Sequence, residues 1–137
     1  MAVLVHIEAP KGSATALSAI TDGEILTPNG AGTKVQHATA HNQICVGVAA
    51  EAAAADEGVR IYLPGQLAKV RCGATLDAAN GADDYKLTAN ADGKAVKAGQ
   101  NEVVTLMWCP RPGETAADGD FITCRILENS GLDTDGA

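Results

Sequence analysis

Polar and apolar positions alternate with a period of two along much of the chain, which is the pattern of half-buried β-strands. The alternation is clearest at residues 66–71, where polar Gln66, Lys69 and Arg71 are interspersed with apolar Leu67, Ala68 and Val70. Residues 59–63 and 121–127 carry β-branched and aromatic side chains between turn signals. Because no segment keeps helical spacing over three turns, the pattern predicts a mainly-β domain with short or no helices.

Turn-forming residues divide the chain into about eight short strands. The strongest turn signals are Pro-Asn-Gly at 28–30, Pro-Gly at 64–65 and Asp-Gly-Asp at 118–120. An alanine-rich stretch at 49–55 is too short for a major helix. The predicted strands are residues 24–27, 34–37, 44–48, 59–63, 66–71, 102–108 and 121–127.

One unit of this pattern occurs twice. Residues 44–63 and residues 102–127 both run from a strand through a small-residue connector and an acidic glycine turn into a second strand. Two copies predict pseudo-symmetric halves of a β-barrel or β-sandwich rather than a solenoid.

The N-terminal residues 2–7 (AVLVHI) are β-prone and end at Glu8-Ala9-Pro10. Two roles fit them: an arm that adds to a sheet edge of another chain, or the first strand of the domain's own sheet. We assign residues 1–22 to an N-terminal arm and linker, residues 23–128 to the β domain, and residues 129–137 to a flexible C-terminal tail.

Composition points towards binding to a larger partner. The 137 residues are 46% hydrophobic but only 3% aromatic, and alanine supplies much of the apolar content. Since alanine buries little area, the predicted core is thin, which favours completion by another subunit.

The net charge is −7 with ten basic residues and no basic run, which disfavours nucleic acid and anionic membrane as partners. The start of the chain lacks a secretion signal, so we expect the protein to be made and folded in the cytoplasm.

The four cysteines lie at positions 45, 72, 109 and 124, and no two of them form a CxxC pair. This spacing disfavours a zinc site. One interpretation of the four cysteines is one or two structural disulfides. The other is free thiols packed as small hydrophobic residues, which is favoured because three of the four cysteines lie in apolar alternating segments.

Metal-binding patterns are incomplete. His37 and His41 have the four-residue spacing of a helical metal site, yet Ala38 stands where the metalloprotease pattern needs Glu. Residues 90–93 and 133–136 resemble fragments of calcium loops that lack the remaining oxygen ligands. We therefore expect no metal and no cofactor.

Catalytic patterns are absent from the sequence as well. Three serines occur and none lies in a GxSxG motif. Asp83 and Asp84 are adjacent carboxylates, but they lie in a Gly/Ala-rich turn and are expected to be exposed. The sequence therefore predicts a non-enzymatic protein.

Three stretches carry a resemblance to a known family: GVAAEAAAADEGVRIYLPGQLAKVRCG at 47–73, ADGKAVKAG at 91–99 and AADGDFITCRIL at 116–127. Together they resemble the small capsid cement, or decoration, proteins of tailed bacteriophages. The resemblance spans residues 44–127. The segment 108–112 (WCPRP) and the four cysteines depart from the family pattern.

The resemblance implies a β-tulip-like fold and a virion protein on the outer surface of the head. Such a protein binds the major capsid protein, commonly as a homotrimer at local three-fold positions, and stabilises the expanded shell against DNA pressure. The candidate contact residues are Val3, Leu4, Val5, Ile7, Pro64, Gly65, Asp118 and Asp120.

An alternative from another class is a carbohydrate- or ligand-binding β module of a virion fibre or surface-display protein. Sugar sites usually present aromatic platforms, and Trp108 is the strongest aromatic candidate in the sequence. A core position is the expected role of Trp108, which favours the cement interpretation.

Overall fold

The computed structural model describes residues 7–41, 43–100 and 102–132, and these residues fold mainly into β-strands. The first five strands are β1 (Gly12–Thr15), β2 (Ile25–Pro28), β3 (Val35–His37), β4 (Gly47–Ala49) and β5 (Gly58–Tyr62). The remaining elements are β6 (Leu67–Arg71), β7 (Leu76–Asp77), a 3₁₀ turn (Ala78–Asn80), α1 (Ala82–Tyr85), β8 (Lys86–Ala89), β9 (Ala95–Lys97), β10 (Val103–Trp108), β11 (Thr115–Ala116) and β12 (Phe121–Leu132). The mainly-β prediction with short helices is confirmed.

The first five strands form one antiparallel sheet in the order β1-β5-β4-β2-β3. Ala16, directly after β1, makes a parallel bridge with Val35 at the start of β3, and the Leu17 N–H donates to the Val35 carbonyl at 2.7 Å. This bridge joins the two edge strands, so the sheet closes into a small barrel, here called the N-terminal barrel.

The second half repeats this topology. Its sheet has the order β6-β12-β10-β8-β9, and a parallel bridge between Cys72 and Ala95 closes it. The Gly73 N–H donates to the Ala95 carbonyl at 2.8 Å, as Leu17 does to Val35. Strand by strand, β6, β8, β9, β10 and β12 correspond to the first five strands. The predicted internal repeat is therefore confirmed, but its two copies form two packed barrels rather than the halves of one barrel or sandwich. The second is called the C-terminal barrel.

The acidic turns before β5 and β12 repeat in atomic detail. In each turn the carboxylate of an acidic residue accepts a hydrogen bond from the backbone N–H three residues earlier. The backbone N–H of the same acidic residue donates to the carbonyl of that earlier residue. Asp56 (φ 68°) and Gly119 (φ 94°) take the same left-handed position. The paired residues are Glu57 with Ala54, and Asp120 with Ala117.

Two apolar cores follow from the closed sheets. The N-terminal barrel encloses Leu26, Val59 and Ile61. The other core fills the C-terminal barrel and extends to Ile25 and Val48 on the opposite face of the first sheet. Adjacent residues such as Ile25 and Leu26 therefore point into different cores, which explains why this segment carries consecutive apolar residues rather than strict alternation.

The strand predicted at 44–48 begins later than expected. β4 starts at Gly47, and Ile44 is 72% exposed. The last ladder bond runs from the Val46 N–H to the Leu26 carbonyl, and the next β2 residue facing β4 is Pro28. Because proline has no N–H to donate, pairing stops there.

Asp84 corrects the expectation of an exposed carboxylate pair at 83–84. It is buried, and its Oδ2 accepts hydrogen bonds from the Asp77 N–H at 2.8 Å and from Asn80 Nδ2 at 3.1 Å. The carboxylate thus holds the turn between β7 and α1, and burial is tolerated because both donors and Lys97 Nζ, at 3.8 Å, compensate its charge.

The chain ends differ from the assigned segments. β1 lies inside the segment assigned to the arm and linker, where it pairs with β5. β12 continues to Leu132, inside the segment assigned to the tail. Residues 1–6 and 133–137 lie outside the described residues.

Replacing Gly47 with alanine tests the tight packing of β4 on β5. A Cβ atom there would collide with the Tyr62 carbonyl oxygen, which is backbone and cannot move aside. We expect Gly47→Ala to lower the free energy of unfolding by about 1–3 kcal/mol, measured by chemical denaturation. At Gly58 the nearest atom to an added Cβ is 4.0 Å away, so Gly58→Ala should be neutral or stabilising by less than about 1 kcal/mol. Equal effects of the two changes would contradict the packing argument.

Candidate functional site

The predicted contact turn Pro64-Gly65 lies at the junction of the two barrels. The Gly65 N–H donates to the Ile126 carbonyl at 2.7 Å, and Arg125 Nη1 donates to the Gly65 carbonyl at 2.7 Å. Gly65 has φ 92°, a conformation that favours glycine. Gly65 and residues 125–128 line an open surface groove of about 440 Å³.

Ile7, another predicted contact residue, lies at the same end of the molecule. Its side chain packs against the core of the C-terminal barrel. The next residue, Glu8, donates its N–H to the Leu67 carbonyl at 3.1 Å and accepts the Leu67 N–H on its carboxylate at 3.2 Å. Residues 7–8 therefore cover the first residue of β6. Val3, Leu4 and Val5 lie outside the described residues.

Gln66 fixes this junction. Its buried side-chain Oε1 accepts the N–H groups of Lys11, at 3.2 Å, and Leu63, at 2.9 Å. Its Nε2 donates to the Ala9 carbonyl at 2.7 Å. One side chain thus ties the N-terminal segment to the connection between the barrels, although the sequence analysis assigned it no role.

The turn with Asp118 and Asp120 lies at the opposite end of the β6–β12 pair. Leu67 pairs with Arg125 near the junction, whereas Arg71 pairs with Phe121 next to the acidic turn. Four residues of strand separate the two ends by about 13 Å. The predicted contact residues therefore form two patches: a junction patch (Ile7, Pro64, Gly65) and an acidic patch (Asp118, Asp120).

Asp118 and Asp120 have different local roles. The Asp120 carboxylate holds its own turn by accepting the Ala117 N–H at 3.0 Å. Asp118 lies 3.6 Å from Lys94 Nζ, and its side chain is 66% exposed. The N-terminal barrel has a matching pair, since Asp56 lies 2.6 Å from Lys34 Nζ. Asp118 is therefore an exposed carboxylate of the acidic patch that holds no hydrogen bond within its own turn and pairs with Lys94.

A second feature missed by the sequence analysis joins the barrels beside the acidic patch. Lys69 Nζ and the Arg71 guanidinium carbon both lie over the Phe121 ring, at 4.6 Å and 4.4 Å from its centre. Lys69 also pairs with Asp22 at 2.8 Å, and the Arg71 N–H donates to the Gly23 carbonyl at 2.9 Å. The sequence feature that could have indicated this contact is the Lys-x-Arg spacing on the polar face of β6. Only the pairing register of β6 with β12 shows that the two side chains lie over an aromatic ring.

The described residues offer no group of three side chains that could hold a metal ion. His41 Nε2 lies 3.2 Å from a Glu102 carboxylate oxygen, and His37 Nδ1 lies 2.9 Å from the Ala38 carbonyl. Trp108 is 2% exposed and packs edge-on against Tyr85 at 6.1 Å between ring centres. The expected core position of Trp108 is confirmed.

The four cysteines are free thiols. Burial raises the pKa of Cys72 and raises that of Cys124 well above its ordinary value, because the thiolate would lose its hydration. Such thiols stay protonated and unreactive near neutral pH. They act as small core residues, as the sequence analysis favoured.

Comparison with known proteins gives a likeness of fold. The chain is similar in structure to the N base of the head fibre protein gp8.5 of bacteriophage phi29. The TM-score is 0.64 at 20% sequence identity, and the match covers 89% of this chain and 96% of that one. No family model matches the chain, and no curated protein matches it significantly.

The extent of the match is informative about the fold. A match over 89% of the chain takes in both barrels and the junction between them. The pair of barrels, rather than a single barrel, is therefore the unit shared with the phage protein. In the described residues no helix is long and apolar enough to cross a membrane.

Replacing Gln66 with leucine tests the junction. The change keeps the volume but leaves the N–H groups of Lys11 and Leu63 and the Ala9 carbonyl without partners. We expect a loss of about 2 kcal/mol or more in unfolding free energy, since each unpaired buried group costs about 1–3 kcal/mol. Gln36→Leu is the control, at a half-buried position of β3. A loss no larger than that of the control would show that the amide does not fix the junction.

The thiol of Cys45 is expected to lower the free energy of unfolding at alkaline pH. Burial raises the pKa of its thiol from 9.0 to about 11, against a smaller opposing effect of a backbone hydrogen bond from Gly47. Between about pH 9 and pH 11 the unfolded chain has lost this proton while the folded chain keeps it, so unfolding becomes easier as pH rises. The free energy of unfolding, measured by chemical denaturation across this pH range, should fall less steeply with pH for Cys45→Ala than for the unchanged protein. An unchanged slope would contradict the assignment.

Proposed function

We propose that this chain is a structural protein of a phage head that binds the outer surface of the assembled shell. The observation that carries the proposal is the likeness to a phage head fibre base over nearly the whole of both chains. The resemblance of residues 44–127 to capsid cement proteins favours the same location. The protein would be made in the host cytoplasm and act by binding rather than by catalysis.

In this proposal the binding partner is the major capsid protein, and each copy bridges two neighbouring subunits. The junction patch and the acidic patch support bridging because they lie at opposite ends of one strand pair. Two contact points separated by at least the length of β6, about 13 Å, can engage two subunits at once. A ligand that binds only the expanded lattice stabilises that lattice according to its occupancy and affinity.

The rigidity that bridging needs comes from the contacts between the barrels. The Arg71 N–H to Gly23 carbonyl bond and the Lys69–Asp22 ion pair lie beside the acidic patch. Gln66 holds the other end, beside the junction patch. The two patches therefore keep a fixed separation when force is applied along the lattice.

We also propose that the protein binds as a homotrimer at local three-fold positions, as cement proteins commonly do. A trimer offers three copies of each patch to the surrounding subunits, so contacts that are weak singly add through effective concentration. The net charge of −7 keeps copies soluble at the high density of a shell surface.

A second candidate function is the base of a head fibre, which the gp8.5 likeness favours directly. A fibre base must attach to the shell but need not stabilise it. The carbohydrate-binding variant of this alternative loses support, because Trp108 is buried and Lys69 and Arg71 flank the Phe121 ring. The Trp108 ring is therefore not accessible for stacking on a sugar, and two cations already lie over the Phe121 ring.

Binding to expanded shells tests the proposal. Purified protein is added to shells that lack it, and both the number of bound copies and the shell melting temperature are measured. A cement protein should saturate its sites and raise the melting temperature. Saturation without a rise would favour the fibre base, and no binding by the folded protein would refute the proposal.

A matched pair of substitutions locates the contact. Asp118→Lys should weaken shell binding by about tenfold, or about 1.4 kcal/mol, because it reverses the charge of the acidic patch. Asp56→Lys makes the same charge change in the equivalent turn of the N-terminal barrel, where the aspartate is similarly exposed. Equal weakening by the two variants would show a general charge effect and remove the acidic patch from the interface.

A further inference from the structure

The outer edge of β1 is open. On one side the Ala16 N–H donates to the Glu57 carbonyl next to β5, and on the other the Leu17 N–H donates to Val35 in β3. Because backbone groups alternate along a strand, the N–H groups of Ser13 and Thr15 point to the same side as Leu17. Among the described residues nothing accepts a hydrogen bond from either group. The barrel is therefore closed at Ala16 and open along β1.

The equivalent edge of the C-terminal barrel is covered by the chain itself. The Arg71 N–H, which corresponds to that of Thr15, donates to the Gly23 carbonyl at 2.9 Å. At the start of β6, Leu67 exchanges hydrogen bonds with the backbone and carboxylate of Glu8. The same strand position thus has a backbone carbonyl as a partner in one barrel and, among the described residues, has none in the other.

A groove follows the open edge. Its volume is about 310 Å³, and its apolar lining includes Ala14, Val35, Val46 and Ile61. The two large hydrophobic residues exposed in the described part of the chain are linked to lining residues through the backbone. Leu17, 38% exposed, is bonded to Val35, and Ile44, 72% exposed, lies two residues before Val46. An apolar groove beside free strand donors is the surface that an added β-strand requires.

We propose that this groove binds residues 2–6 of a second copy of the chain as an added strand. The segment AVLVH has the β-branched and apolar side chains that such a groove accepts. Ile7 packs against the core of the C-terminal barrel and Glu8 is bonded to Leu67, so the described part of the chain begins at the C-terminal barrel and not at β1. A neighbouring copy can place its residues 2–6 in the groove directly. The chain's own segment would first have to turn back from the C-terminal barrel towards β1.

The exchange is head-to-tail, because one copy gives its N-terminal strand and receives another on a different surface. Head-to-tail contacts form a closed ring when the rotation between copies matches the ring. The inference goes beyond shell binding, since it assigns the contact between copies, and it can fail while shell binding holds.

Amide hydrogen exchange of the full chain, at low and high protein concentration, tests the groove. At high concentration exchange at Ser13 and Thr15 should slow by about tenfold or more, because the added strand accepts their N–H groups. Val3→Asp combined with Val5→Asp should abolish the slowing and leave monomers in sedimentation. Val3→Ile with Val5→Ile, which keeps branched apolar side chains, should retain it.

Three outcomes would overturn the proposal. Slow exchange at Ser13 and Thr15 that does not depend on concentration would mean that the chain's own N-terminus fills the groove. Fast exchange at both concentrations would mean that the groove is empty. Slowing that persists in the aspartate variant would assign another segment as the occupant. Thr15→Pro is a second probe, since it removes a donor on the open edge and none on the side of β5.

Discussion

Closure of each five-stranded sheet by one parallel bridge is the constraint on which this structure depends. Ala16 meets Val35 in one half and Cys72 meets Ala95 in the other, at equivalent positions. Apart from β12, the strands of the two sheets have three to six residues, and such short strands bury little area in an open sheet. Closing the sheet encloses a core made of alanine, valine, isoleucine and leucine, and it removes most of the unpaired edges. A chain with few aromatic residues can therefore fold stably as two small barrels.

The contacts between the barrels turn the repeat into one rigid body. Ile25 and Val48 of the first sheet pack into the core of the second. Arg71 reaches across to the loop before β2, and Gln66 ties the N-terminal segment to the connection between the halves. Because these contacts lie at opposite ends of the β6–β12 pair, they also fix the spacing of the two surface patches. Rigidity and the proposed bridging have the same physical source.

The two halves differ in how their strand edges are covered, and this difference bears on the proposed contacts with other chains. In the C-terminal barrel the edge of β6 is covered by Glu8 and Gly23, whereas the edge of β1 has no such cover among the described residues. The open edge is where the proposed contact outside the chain would form. Both the proposed shell binding and the proposed strand exchange need such asymmetry within a symmetric framework.

The sequence by itself determined the strand pattern, the turns and the internal repeat, because these depend on alternation and on residues such as Gly119 that local backbone geometry requires. It also placed Trp108 in the core. The tertiary structure alone decided that each half closes on itself, that Asp84 is buried, and that the acidic turn and the Pro64-Gly65 turn form separate patches. These features depend on register and on contacts between residues far apart in the chain, such as Arg71 with Gly23, and local sequence patterns carry no record of them.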